Sequence, residues 1–223
     1  MSIKEKVKRY TLLIIGLILN SFGVALVTKG GLGSSPLACF PYALSLVLPQ
    51  LSMGTWCALF DISLIVIQFI VLKGKMEKRD IILQVILSFG FGVFCDLGLW
   101  VFSWVNPTSY VLKWVCLVLG TVFFGFGINF ELTGNISMLP GNALPKAIAE
   151  RLNKEYGPVR VCCDVTFTCL SAAVSMIFLK ALVSVREGTI VAALLVGNMA
   201  KLVKKLMPFW NALEEWVGTN RSQ

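Results

Sequence analysis

Two aspartates interrupt long apolar runs at matching places in the chain, Asp61 within 53–72 and Asp164 within 159–178. An ionised carboxylate inside a membrane span costs a few kcal/mol or more, so it is kept where it faces a cavity, a partner or a coupling ion. Proton or cation coupling, or recognition of a substrate's positive group, is the chemistry such a pair suits. Arg160 lies one helical turn before Asp164, and an ion pair between them is the competing structural role. Asp96 lies in another apolar run and has no acidic counterpart in the last one. Glu131 ends its run and reads as an interfacial residue. Asn20, Gln68, Gln84, Asn129 and Asn198 are polar positions that bridge helices or line a pathway.

A second kind of chemistry resides in two Gly/Ser/Pro-rich breaks. The first runs Gly30-Gly31-Leu32-Gly33-Ser34-Ser35-Pro36 and leads into the charge-free stretch 37–48. That stretch is too short to cross a bilayer and too apolar to be solvated, which predicts a buried or re-entrant half-helix. Ser35 as N-cap and Pro36 at the first helical position suit its start. The second break runs from Thr133 to Asn142, through Pro140 and Gly141, into 143–153. That segment carries Lys146, Glu150 and Arg151, so its far end should reach water or headgroups. A half-helix N-terminus inside a membrane presents free N–H groups and a positive dipole end that receive an anion. Ser34, Ser35 and Asn142 can add side-chain donors. The binding or coupling residues expected are therefore Asp61, Asp164, Ser34, Ser35, Pro36, Pro140, Gly141, Asn142 and Asn129. Arg160 is the ion-pair partner.

The elements that must hold these residues follow from the composition. The chain is 57% hydrophobic and 14% charged, against about 25% charged in a soluble domain. Six apolar runs (10–27, 53–72, 81–105, 111–130, 159–178 and 189–206) approach or exceed the ~20 residues a spanning helix needs. The first follows Lys4, Lys6, Lys8 and Arg9. It is too long for a signal peptide's apolar region and no cleavage site follows, so it reads as a retained span. The net charge of +8 is not gathered on one face as nucleic-acid binding would require. It falls in clusters between runs: 4–9, 73–79, 146–160 and 201–205. If all six runs cross, every cluster lies on one side, which places both termini in the cytoplasm. Trp100, Trp104, Trp114 and Trp210 read as interfacial anchors. The seven cysteines have no metal-ligand spacing and read as small hydrophobes between helices.

The chain also repeats itself. At an offset of 104, Gly16 aligns with Gly120, Phe22-Gly23 with Phe126-Gly127, Gly30 with Gly134, Pro36 with Pro140, Pro41 with Pro145 and Ala43 with Ala147. Nearby offsets align Gly54 with Gly157, Asp61 with Asp164, Arg79 with Arg186 and Gly90 with Gly197. Residues 1–107 and 108–223 thus form two three-span units in one membrane domain. An odd number of spans puts the second unit into the membrane upside down, an arrangement common among secondary transporters. The expected fold is an all-α polytopic transmembrane helical bundle with six spans, two short broken or re-entrant helices and two inverted repeats.

The glycine break (30–36), Pro41-Tyr42, Gly54-Thr55-Trp56, Leu139-Pro140-Gly141 and Arg186-Glu187-Gly188-Thr189 resemble the bacterial YczE/YitT-type (YczE/YyaS/YitT) membrane proteins. The resemblance extends from about Tyr10 to Lys205 and is most specific in the Gly-Leu-Gly-Ser-Ser-Pro and Arg-Glu-Gly-Thr segments. It implies a multi-pass protein of the bacterial plasma membrane and supplies neither substrate nor catalytic residues. With no His, nucleotide loop, zinc pattern or nucleophile elbow, neither an enzyme nor a cofactor is expected. The function expected is a small secondary transporter of a polar small molecule, with its site at the repeat interface. The alternatives are a substrate-capturing subunit of an ATP-driven importer and a non-transporting accessory protein. The partners expected are the lipid bilayer, a small-molecule or ion substrate, and a homodimer mate or an ATPase module.

Overall fold

In hydrocarbon an apolar segment must satisfy its backbone N–H and C=O groups within itself, which selects the α-helix. A computed structural model describes residues 3–206 together with 209, 210, 213 and 216. The side chains of 197, 198, 200, 201, 204 and 206 lie outside the described residues, and with them the readings of Gly197, Asn198, Lys201 and Lys204. The described chain is all-helical: α1 (Ile3–Lys29), α2 (Pro36–Val47), α3 (Met53–Val71), α4 (Lys78–Val101), α5 (Tyr110–Gly134), α6 (Pro140–Leu152), α7 (Tyr156–Val174) and α8 (Glu187–Leu206). A π-helical turn, Ser175–Leu179, extends α7. Among the described residues, five helices are long and apolar enough to cross a membrane: α1, α3, α4, α5 and α7 with its π turn. In α8 the apolar part is the shorter Glu187–Val196.

The order is long, short, long, long, and then the same again. Both short helices begin at a proline, carry a second proline inside (Pro41, Pro145) and follow a chain reversal. The reversals use left-handed backbone at equivalent positions, Gly31 (φ 71°) and Asn135 (φ 45°). Gly and Asn are the residues that reach this conformation at least cost. At ~1.5 Å per residue, α2 with its 12 residues is about 18 Å long, too short to cross a hydrocarbon core of ~30 Å.

Helices α1 and α5 make the most extensive contact in the molecule and run antiparallel. Glycines let the backbones meet, as in other membrane helix pairs. A methyl group added at Gly16 would lie 2.8 Å from the Gly127 carbonyl oxygen, and one at Gly23 would lie 2.9 Å from that of Gly120. Further along, Gly30 faces the Lys113 carbonyl and Gly134 faces the Arg9 carbonyl. Each contact is the image of its partner under the 104-residue offset. The remaining pairings show the same exchange: α1 packs on α4 and α5 on α8, α2 on α7 and α6 on α3, α2 on α3 and α6 on α7. The exception is α3 against α4, for which α7 and α8 show no comparable packing among the described residues.

Some polar groups within the bundle have local partners, whereas Gln68 Oε1 and Gln84 Oε1 are buried without one. Asp96 holds the start of α3, where its carboxylate accepts from the Gly54 N–H (2.8 Å) and the Ser52 hydroxyl (2.5 Å). This gives Asp96 a structural role. Trp100 and Trp104 are exposed at the end of α4, as anchors should be. Trp210 is not an anchor: it is 1% exposed and stacks against Phe130, with ring centroids 4.8 Å apart. Cys39, Cys57, Cys95 and Cys116 are buried between helices, but Cys162 and Cys169 lie exposed on α7.

Candidate functional site

The N-termini of the two short helices meet. The Leu37 side chain of α2 lies against Gly141 of α6, so close that a side chain at Gly141 would displace it. These residues are equivalents under the 104-residue offset. Beside their meeting point is a cavity of about 330 Å³, a size that takes a small organic molecule. Its apolar walls include Val24, Phe60, Phe91, Phe124, Ile128 and Val196. Its polar lining is Asn20, Ser35, Asp61, Glu131, Asn142, Tyr156, Arg160 and Asp164.

The ionisable groups in this cavity are held in different ways. Arg160 donates through Nε to both oxygens of Asp164 at 3.1 Å. Its Nη1 reaches the Asn142 side-chain oxygen and the Tyr156 hydroxyl. The guanidinium is thereby engaged on three sides, and Asp164 is neutralised from its own helix. Glu131, near the end of α5, accepts the Leu139 N–H at Oε1 and the Asn20 amide at Oε2. Leu139 is the N-cap of α6, so this carboxylate closes the positive end of that helix. Asp61 is 4% exposed and has no hydrogen bond or ion pair among the described residues.

Donors at the start of α2 are also left over. The Ala38 and Cys39 N–H groups bond back to the Ser35 carbonyl, and Pro36 has no N–H. The Ser35 hydroxyl is buried without a partner and does not cap the helix. Leu37 N–H has no hydrogen bond among the described residues.

Of the residues expected from the sequence, the cavity brings together Asp61, Asp164, Ser35, Pro36, Asn142 and Arg160. Pro140 and Gly141 lie in the first turn of α6 and Pro36 in that of α2. Ser34 is drawn aside: its N–H bonds the Ser184 carbonyl and its hydroxyl meets Thr28 at 2.9 Å. Asn129 lies outside the lining and donates to the Gly125 carbonyl one turn back. Glu131 corrects the sequence reading. It is 3% exposed in the centre of the site rather than interfacial, because α5 runs on to Gly134 and the second break folds Leu139 back over the carboxylate. Sequence reasoning also gave Tyr156 no role.

The break before α2 is held from behind. Arg186 Nη1 donates to the Gly31 carbonyl at 3.0 Å, and Gly188 sits against Leu32 with no room for a side chain. The Gly-Leu-Gly-Ser-Ser-Pro and Arg-Glu-Gly-Thr segments, distant in sequence, are therefore one packed unit. Below it, Ser171 donates to the Cys39 carbonyl at 2.7 Å and tethers α2 to α7.

The fold and site define an all-helical, multi-pass membrane protein with a largely apolar cavity, edged by a few polar groups, beside two short helices. The chain belongs to the family described as "Family of unknown function (DUF6198)", which it matches over residues 7–205. It is similar to "Uncharacterized protein YyaS" of Bacillus subtilis (strain 168), with 29% identity over 127 residues, 56% of this chain and 61% of that protein. It is also similar to "Uncharacterized membrane protein YczE" of the same organism, with 29% identity over 152 residues, 66% of each chain. The chain thus spans less than two thirds of the length of either relative. These matches bear out the resemblance read from the motifs. No solved structure matches.

Proposed function

We propose that the protein is a small secondary transporter of a polar small molecule in the bacterial plasma membrane, with its binding site in the cavity where α2 and α6 meet. The observation that carries this reading is Asp61, a buried carboxylate without a partner on the wall of a ligand-sized cavity. A charge in that position calls for a proton, an ion or a substrate cation. The two halves act as inverted three-span repeats, α1–α4 and α5–α8, with α8 as the sixth crossing and both termini in the cytoplasm. The antiparallel α1–α5 contact and its paired glycines support the inversion, and the one-sided basic clusters support the orientation. In this arrangement the cavity lies at the axis between the repeats, where alternating access would open it to each side in turn.

The test is uptake into proteoliposomes under an imposed proton or sodium gradient, with a panel of labelled small metabolites. Wild-type protein should accumulate a substrate only while the gradient lasts, and Asp61→Asn should lose gradient-driven accumulation. Undiminished coupling in Asp61→Asn would remove Asp61 from this role, and the absence of any uptake would overturn transport.

A further inference from the structure

The geometry points to a zwitterionic ligand: we infer that the cavity binds an amino acid with an apolar side chain, its ammonium group at Asp61 and its carboxylate at the N-terminus of α2. The inference rests on the cavity proposed above as the binding site and adds the class of molecule that fills it.

The charged groups of the cavity fall into three arrangements, and only one is incomplete. Asp164 and Arg160 neutralise each other, and Arg160 is further engaged by Asn142 and Tyr156. An incoming carboxylate would have to displace one of these contacts to use the guanidinium. Glu131 fills the N-terminal end of α6, so that end repels a second anion. What remains is the N-terminus of α2, with an unpartnered Ser35 hydroxyl that is 4% exposed, an unpartnered Leu37 N–H and no carboxylate in place. A helix N-terminus with free donors favours an anion.

Opposite in charge to those donors is Asp61, without a hydrogen bond or ion pair among the described residues, which lines the same cavity. α3, which carries Asp61, packs directly against α2. A cation alone would satisfy Asp61 and leave the Ser35 and Leu37 donors orphaned, and an anion alone would do the reverse. Buried polar groups left without partners are costly, and a zwitterion satisfies both sets with no net charge carried into the cavity. The rest of the lining is aliphatic and aromatic, which selects an apolar body between or beside the two charges.

The experiment uses full-length protein purified in detergent, with affinity read from thermal stabilisation as ligand is titrated. The probes are L-leucine and L-phenylalanine, their amides (cation without carboxylate), and isocaproate and hydrocinnamate (carboxylate without ammonium). The amino acids should bind on the order of tenfold or more tightly than either set of half-analogues, because each half-analogue leaves one set of buried groups unpaired. Ser35→Ala should weaken the amino acids and the carboxylates several-fold and leave the amides unchanged. Asp61→Asn should weaken the amino acids and the amides and leave the carboxylates unchanged. Amides that bind as tightly as the amino acids would overturn the anion site at α2, and so would no binding of either amino acid. Either result leaves ion-driven uptake of another substrate intact. Conversely, the expected binding pattern with no uptake in proteoliposomes would preserve this assignment and remove transport.

Discussion

The regions around α2 and α6 share a backbone and differ in chemistry. Each begins with a left-handed residue, enters a helix at proline, and returns two N–H groups to the residue before that proline, Ser35 or Leu139. At α6 a carboxylate from α5 already occupies the helix end, and the intramembrane aspartate of the next helix is paired with an arginine. At α2 no carboxylate meets the helix start among the described residues, and the equivalent aspartate, Asp61, has no ion pair there. Position 57, the counterpart of Arg160, is a cysteine buried among apolar residues. The two regions thus share a backbone course, but one is self-neutralised and the other keeps unpaired polar groups beside the cavity.

The largest test of this difference is the pair of aspartates. Arg160→Met should destabilise the protein by up to about 3 kcal/mol, since removing one member of a partly buried, hydrogen-bonded ion pair strands the other. Asp164→Asn should also destabilise it, by stranding Arg160, and the double substitution should recover much of the loss. Asp61→Asn has no partner to strand and should be neutral or stabilising. Thermal unfolding in detergent measures all four. Equal losses in Asp61→Asn and Asp164→Asn would erase the contrast.

A smaller effect tests the part of the comparison where the halves should be alike. At the α1–α5 crossing, Gly23→Ala drives a methyl group into the Gly120 carbonyl, and its counterpart Gly127→Ala drives one into the side-chain amide and backbone nitrogen of Asn20. Each should cost about 1–3 kcal/mol, the usual range for overpacking a tight contact, and the two losses should be similar. Destabilisation confined to one member of the pair would show that the crossing is not two-fold in its energetics.

The frame was legible in the sequence because glycine and proline mark backbone events directly. Pro36 begins α2 where the motif placed it, whereas α6 begins at Pro140, three residues before the expected start at 143, and the repeat-aligned glycines 16, 23, 120 and 127 lie where α1 and α5 approach closely. The Arg160–Asp164 contact followed from helical spacing alone. What the sequence hid depends on where a break turns the chain. Glu131 has the same neighbours in sequence as an interfacial acid, and only the fold of 135–139 over its carboxylate makes it part of the site. Trp210 is likewise indistinguishable by composition from Trp104, although one is enclosed by Phe126 and Phe130 and the other is 77% exposed. Ser34 and Ser35 are adjacent and chemically identical, and only the position of Thr28 decides which hydroxyl is left without a partner.

The smallest expected effect concerns the two helix starts. Glu131→Gln keeps an oxygen for the Leu139 N–H but loses the charge that faces the dipole of α6, and should cost about 1 kcal/mol. A serine that caps a helix contributes roughly 0.5–2 kcal/mol, yet Ser35 makes no capping bond, so Ser35→Ala should fall below that range. The substitution removes a buried hydroxyl that has no hydrogen-bond partner, which favours a neutral or stabilising effect. Unfolding without ligand reads both variants, and the order of the losses matters more than their size. If Ser35→Ala proved the more damaging, its hydroxyl would be holding α2 in place as Glu131 holds α6. The α2 terminus would then be closed in the resting protein, and the asymmetry between the two short helices would lie in which group closes them.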